Sequence, residues 1–520
     1  MDALNQNGKN FVRGIGYALK KISSSEETIR TTRAASSLAV AYEAARNAVE
    51  FRSEHLIRQA AIVRILRRRL FLGQSSERVA PSLIRELIWA RYLKDDAVPV
   101  TKTDVIEDTI NKYKTAFSLT EDKELKEWLL NLAGCEIEES LVFNPYPQLL
   151  INFVNQSLQP RIDIDGEGNE NLKDIQVYIA VERAFAKNSE IFISYHLLKA
   201  IYPKWFGDPG TDIKNIFSEF LKAKNEIDKN LQNPLGIEIK KEVSKMAAPF
   251  NVVREMVIRD PEKFVWDVDK NGDFEKSARE LLEKLYAENR GKSVRASTRS
   301  IIYIFLTKMV LGMALELPFD LLMGRTNFVA LGINLIFPPG LMFLLNARIT
   351  MPGEENTTRI LRKMDEYFYS DKITGVVTVG RIKKAKTVLE RIFLVVYSFL
   401  FVGVFVFIFW VLNSLHFNIV SQAIFIFFLC VVSFFAYRVR SISRDYVYQE
   451  QREGILSSFV DFLFLPVVRV GAWLSIQISK LNVLGFIFDF IIEAPLKAFL
   501  EVIEEWVHFV RAKKEEIFTE

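Results

Sequence analysis

The sequence predicts an all-α protein of two unlike parts, a cytoplasmic helical domain over residues 1–299 and then a polytopic helical membrane domain that ends in amphipathic helices. Three observations predict it. Apolar residues recur at helical spacing through the first part, and sustained two-residue alternation is nearly absent. Beyond residue 300 much of the chain's complement of 41 phenylalanines gathers in long apolar runs. Lys and Arg collect on one side of those runs, as in membrane proteins that keep their basic loops inside. A chain of 520 residues is also too long for a single core, so a division is expected.

Residues 26–72 read as one long helix, rich in Ala, Leu, Glu and Arg and free of Pro and Gly. Shorter helices are expected near 82–94, 103–117, 121–133, 148–157, 172–186, 195–202 and 212–231. Turn chemistry such as Asn144-Pro145, Asp208-Pro209-Gly210 and Asn233-Pro234 separates them.

The membrane part is expected to hold two hairpins, hence four spans. Residues 392–412 and 417–437 carry no charge and are long enough to cross hydrocarbon, with a turn at 413–416. Residues 301–323 and 327–347 form a less regular first hairpin within 300–347. Its second arm contains Pro338-Pro339-Gly340, which predicts a bend or break because the prolines lack backbone donors. A basic cytoplasmic loop, 348–391, joins the hairpins, and the second hairpin fills 392–437. Residues 438–520 are expected to be cytoplasmic or interfacial amphipathic helices, with two further spans as the alternative. Asp489, Glu493, Lys497, Glu501 and His508 line one face there.

Arg290, Lys292, Arg295 and Arg299 precede the first hairpin, and Arg438, Arg440 and Arg444 follow the second. The short turns at 324–326 and 413–416 hold only Arg325. Both termini are therefore expected in the cytoplasm, and the opening residues lack the apolar segment of a secretory signal.

The sharpest candidate site is a stripe. Lys308, Gly312, Glu316 and Asp320 recur every four residues, so they share one helix face. Ionisable groups at membrane depth usually face a bundle interior or a water-filled cavity. Glu316 and Asp320 would form a polar centre with Lys308 as counter-charge and Asn334 nearby, beside helix breaks at Pro318, Pro338, Pro339 and Gly340. In the competing structural reading, Lys308 and Asp320 reach the two interfaces and only Glu316 is deep.

Two stretches carry part of a calcium-loop pattern. Asp267, Asp269, Asn271 and Gly272 match its early positions and Asp273 follows, but Ala278 stands where a bidentate Glu is needed. Asp163, Asp165 and Asp174 fit the second, which places Glu170 at a normally apolar position. Acidic loops between helices are common, so no metal is assigned. The basic residues Arg52, Arg58, Arg64 and Arg67-Arg68-Arg69 read as a solvated or membrane-facing helix surface, because Glu43, Glu50 and Glu54 share that helix.

Catalytic signatures fail. Gly291-Lys292-Ser293 ends like a phosphate-binding loop, but Tyr286 occupies the leading glycine position, and Gly14-Ile15-Gly16 lacks a third glycine. The two cysteines, Cys135 and Cys430, and four scattered histidines form no ligand-spaced set. The net charge of +4 is too small and dispersed to point to nucleic acid. No cofactor is expected, and the expected partners are the lipid bilayer, its anionic headgroups, and a protein or a second copy of the chain.

Residues 42–70, Leu315 to Asp320 (LELPFD), Asn334 to Leu345 (NLIFPPGLMFLL) and 489–506 (DFIIEAPLKAFLEVIEEW) resemble a group of multi-pass membrane proteins of unknown function from reduced-genome, Patescibacteria-type bacteria. That resemblance implies a bacterial inner membrane and carries no site residue with it. The functional expectation is a membrane-anchored scaffold or interaction protein rather than an enzyme. The alternative is an ion or small-solute transporter built on Glu316 and Asp320.

Overall fold

Helical periodicity governs almost the whole described chain. The structure, a computed structural model, describes residues 3–21, 29, 54–71, 75–96, 98–142, 144–165, 170–207, 212–269, 273–311, 318–319, 328–347, 352–380, 388–448 and 455–480. In order, the elements are α1 (Gln6–Lys21), α2 (Glu54–Phe71), α3 (Ser76–Trp89), α4 (Lys102–Ser118), α5 (Lys123–Leu141), α6 (Tyr146–Leu158), β1 (Ile162–Ile164), α7 (Glu170–Val181), α8 (Glu190–Ile201), α9 (Ile213–Leu231) and α10 (Leu235–Arg259). They continue with α11 (Pro261–Asp269), α12 (Phe274–Leu311), α13 (Phe328–Ala347), α14 (Glu354–Tyr369), β2 (Val377–Val379), α15 (Val388–Ser414), α16 (Ile419–Ser443) and α17 (Ile455–Lys480). The all-α class holds. Local chemistry sets several helix starts: the Asp122 and Asp212 carboxylates accept from the amides of Glu124 and Lys214, satisfying donors that the first turn leaves open.

The chain divides into two compact units, one built on Gln6–Ser244 and Ile373–Gly380, the other on Met1–Asn5, Lys245–Lys372 and Arg381–Leu484. The first has a core of Ile62, Leu66, Leu83, Leu87, Ile110, Leu132, Ile193, Trp205 and Phe220, drawn from α2, α3, α4, α5, α8, α9 and the turn after α8. Along α5, near-consecutive carboxylates tie down three different neighbours. Glu136 accepts from Lys112 and Tyr113 of α4, Glu138 from Arg58 of α2, and Glu139 from Tyr195 and Lys199 of α8.

In the arginine run of α2, Arg67 is exposed as the sequence reading has it, but Arg68 and Arg69 are a correction. Arg69 places two nitrogens on Glu86 Oε1 at 2.9 and 2.5 Å, and Arg68 reaches its Oε2 at 2.5 Å. Glu86 is only 1% exposed, so these guanidiniums neutralise a buried carboxylate instead of facing water or lipid. Of the long helix read at 26–72, residues 26–28, 30–53 and 72 lie outside the described residues.

The same unit holds the one sheet among the described residues. β1 and β2 pair in parallel, Ile162 against Val377 and Ile164 against Val379, and the Asp165 amide donates to the Val379 carbonyl at 3.0 Å. The sequence reading places residues 373–380 inside a basic loop. Instead a β-branched run, Val376 to Val379, follows Gly375 at φ 71 and adds a short strand, too brief to show as alternation.

In the second unit α12, α13 and α16 pack together and α17 lies along α16. Ile304, Met342, Phe428, Val432 and Ala436 form one apolar layer, and Leu412, Phe417, Phe425, Leu429 and Val467 another. Two described helices are long and apolar enough to cross a membrane, Arg391–Ser414 and Ile419–Tyr437. Four spans are expected from sequence, so the described residues hold fewer. In α13 the sufficiently apolar stretch is only Leu331–Leu344, and 312–317 and 320–327 lie outside the described residues. α13 continues as a helix through Pro338-Pro339, so of the expected bend or break there is no break. The carbonyls of Asn334 and Leu335 lose their helical donors, a loss that packed apolar helices tolerate.

Gly471 makes the closest approach. A Cβ there would sit 2.0 Å from the Cys430 carbonyl oxygen, so α17 meets α16 backbone to backbone.

Candidate functional site

The predicted stripe is described only at its N-terminal end, Lys308. Lys308 on α12 is 1% exposed, and its Nζ lies 4.7 Å from the centroid of the Phe428 ring, a cation–π distance. Phe428 is the central residue of the 19-residue stretch Ile419–Tyr437, so the ammonium lies level with the middle of that helix and does not reach an end. Asn334 is fully buried on α13, with Nδ2 at 3.5 Å from the Ser421 carbonyl of α16. Ser421 and Phe428 are separated along α16 by about 10 Å. Lys308 and Asn334 therefore occupy different levels of one bundle.

Glu316 and Asp320 lie outside the described residues, and Pro318 is described only with its neighbour Phe319, both helical. Pro338, Pro339 and Gly340 sit inside α13.

The calcium-like stretches take other roles. Asp267 and Asp269 belong to the end of α11, with Asp267 buried, and Asp273 accepts the Ser277 amide through its own carbonyl at the start of α12. Asn271 lies outside the described residues. Asp163 is exposed on β1, where its carboxylate accepts the Ile164 amide, and Asp165 follows the strand. Asp174, on α7, accepts from Gln159. Among the described residues no group of three or more His, Cys, Asp or Glu is placed to hold a metal ion.

A second constellation escapes the sequence reading, and it lies in the first unit. After α7 the chain makes a π-helical turn, Glu182–Ala186, closed by Lys187 in the left-handed region at φ 56. Such turns widen the helix and often accompany function. The Asn188 amide bonds the Glu182 carbonyl at 3.0 Å, which brings the Asn188 side chain back over that of Glu182.

Glu182 is completely buried. Its Oε1 accepts from His196 Nδ1 at 2.7 Å and its Oε2 from Asn188 Nδ2 at 2.5 Å. The other end of the amide, Asn188 Oδ1, lies 2.7 Å from His55 Nε2. The chemistry fixes each proton. A carboxylate only accepts, so His196 carries a proton on Nδ1; an amide oxygen only accepts, so His55 carries one on Nε2.

Burial alone would raise the Glu182 carboxyl, but hydrogen bonds from His196, Asn188 and Tyr178 outweigh it and hold it below the usual range. Burial lowers His55, against the Asn188 bond, and the charges of Arg58 and His196 lower it further. The sequence gives little sign of this network. His55 and His196 lie on helices remote in sequence, and Asn188, the obvious residue for a left-handed cap, yields that conformation to Lys187.

Compared with family models, curated proteins and solved structures, the chain matches none.

Proposed function

We propose that the protein is a multi-pass protein of the bacterial cytoplasmic membrane that acts as a membrane-anchored scaffold, holding helical surfaces on the cytoplasmic side for a protein partner or a second copy of itself. The observation that carries this reading is α12. Toward its start, Tyr286 meets Asn356 of α14 at 2.9 Å, and Glu288 forms a two-bond pair with Arg259 at 3.0 and 2.7 Å. Toward its end, Ile304 and Lys308 are buried in the apolar bundle. One helix of 38 residues, about 57 Å long, thus joins the packing around Arg259 and α14 to the apolar bundle in a single stiff element. Asn356 also ties down the chain beyond α16, donating to the Tyr446 carbonyl at 2.8 Å and accepting the Tyr448 amide at 2.8 Å.

Basic residues favour cytoplasmic termini on either four or six spans. The packing of α17 on α16 at Gly471 favours α17 as a helix embedded beside α16 over one lying in the interface plane. Crosslinking in native membranes followed by purification tests the proposal. A stoichiometric partner or homo-oligomer is expected, and a strictly monomeric protein with no partner counts against it.

One observation favours a second reading, an ion or small-solute transporter using Glu316 and Asp320. The buried charge of Lys308 at the level of the helix midpoint is costly for a mere anchor. Flux that Glu316→Gln and Lys308→Met both abolish, in variants that fold, would support it.

A further inference from the structure

We infer that the chain His55, Asn188, Glu182 and His196 is an acid-released latch that fastens α2 to the π-turn and α8 near neutral pH and lets go when His55 takes up a second proton. Each step follows from hydrogen-bond direction. The neutral His55 ring donates through Nε2 to Asn188 Oδ1, which leaves Asn188 Nδ2 aimed at Glu182. Among these four residues none accepts a proton from His55 Nδ1.

Protonation therefore adds a charge without adding a bond inside the chain. The ring receiving that charge lies edge-on to Phe192, with centroids 5.2 Å apart. Burial, Arg58 on the same helix and His196 on α8 oppose the charge and outweigh the Asn188 bond and the Glu182 carboxylate, which favour it. Arg58 is itself committed to Glu138 at 3.0 Å and Glu54 at 3.2 Å. Glu139 faces Tyr195 and Lys199 of α8, and Tyr178 of α7 bonds Glu182. Among the described residues, Glu54, Glu138 and Glu139 are thus already engaged.

The sign is fixed by the direction of the His55 shift. A histidine held below its ordinary value of 6.5 binds its proton more readily once released, so the latch is firm above about pH 6.5 and weakens as the pH falls toward the lowered value. The Glu182 carboxylate acts in the same sense at lower pH, being held below 4.5.

The test is hydrogen exchange on the full-length protein in membranes or detergent, corrected for the intrinsic effect of pH on exchange. Between about pH 7.5 and about pH 5.5, amides around 54–60 and 182–190 should lose roughly tenfold in protection, and His55→Gln, which keeps a donor but cannot charge, should abolish that loss. Should His55→Gln prove unprotected already at neutral pH, the imidazole titration of His55 in the wild-type protein decides, because its midpoint must lie below 6.5, at the acid end of the exchange step. No loss of protection in wild type, an identical loss in a folded His55→Gln, or a His55 midpoint at or above 6.5 overturns the latch.

Discussion

The two units bury polar groups in opposite ways. In the first, charges go inside in pairs and networks: Glu86 between Arg68 and Arg69, Glu138 with Arg58, Glu182 with His196. In the bundle of the second, the buried polar groups include amides and hydroxyls, Asn334, Ser421, Gln422 and Ser433, together with Lys308 against an aromatic ring. Paired charges position helices through directional bonds but leave each partner costly to remove. Apolar layers and close backbone approach tolerate the loss of one amide, yet tolerate no added bulk where backbones touch. The first unit is accordingly expected to be sensitive to charge and pH, and the bundle to shape.

The largest effect should come from the bundle's closest approach. Gly471→Leu places a side chain where even a Cβ would be 2.0 Å from the Cys430 carbonyl oxygen, and the Cβ of Phe434 lies 2.9 Å away. Neither atom is the end of a flexible side chain. The cost should exceed about 3 kcal/mol, read as loss of the folded species in a thermal melt in detergent. Gly134→Ala in the first unit meets Val63 Cγ2 at 2.5 Å, the tip of a side chain, and should cost only about 1–2 kcal/mol.

Next comes Glu86→Gln, which leaves two guanidiniums around a neutral amide. About 3 kcal/mol should be lost from the first unit, read as a lower urea midpoint in exchange of α2 and α3, with the bundle's protection unchanged. An equal loss in both units would erase the contrast between them.

Acid should then separate the units. Glu182 and Glu139 both titrate below the ordinary 4.5 despite burial, Glu182 through His196 and Asn188, Glu139 through Lys199 and Tyr195. For a lowered carboxylate, stability is present above the unfolded value and is lost as pH falls through the folded one, so α7 and α8 should loosen below about pH 4.5. Glu138, raised by burial against the pull of Arg58, works in the other direction and softens the trend. The smallest effect belongs to Asn334→Leu. Its amide makes a long bond to Ser421, and losing it should cost about 0.6 kcal/mol.

Much of the fold can be read in the sequence because helical spacing is local. The helices expected near 103–117, 148–157 and 212–231 appear as Lys102–Ser118, Tyr146–Leu158 and Ile213–Leu231. Pro81 misleads by suggesting a start at 82, whereas α3 begins at Ser76 and carries that proline inside. The strand at Val377–Val379 is hidden because its pairing partner lies more than 200 residues earlier. Hydropathy places a boundary near residue 299, and contacts place one at 244/245. The two divisions record different properties, the first the solvent each segment suits and the second which helices touch.

The site is less legible than the fold. The stripe leaves Lys308 either facing the bundle or reaching an interface; its depth depends on which residue of α16 stands opposite, and nothing local specifies Phe428. The Glu182 network depends on a π-turn and an αL lysine that no propensity favours. Arg68 and Arg69 of α2 look like part of a solvated surface until Glu86, on the next helix, is seen between them.

The central claim is that the bundle's buried polar groups hold helices together and conduct nothing. Ion and proton flux through the purified protein in sealed vesicles tests it most directly. The account predicts rates equal to those of protein-free vesicles, for wild type and for Lys308→Met alike. A flux above that background, abolished by Lys308→Met or Glu316→Gln in variants that still fold, would contradict it.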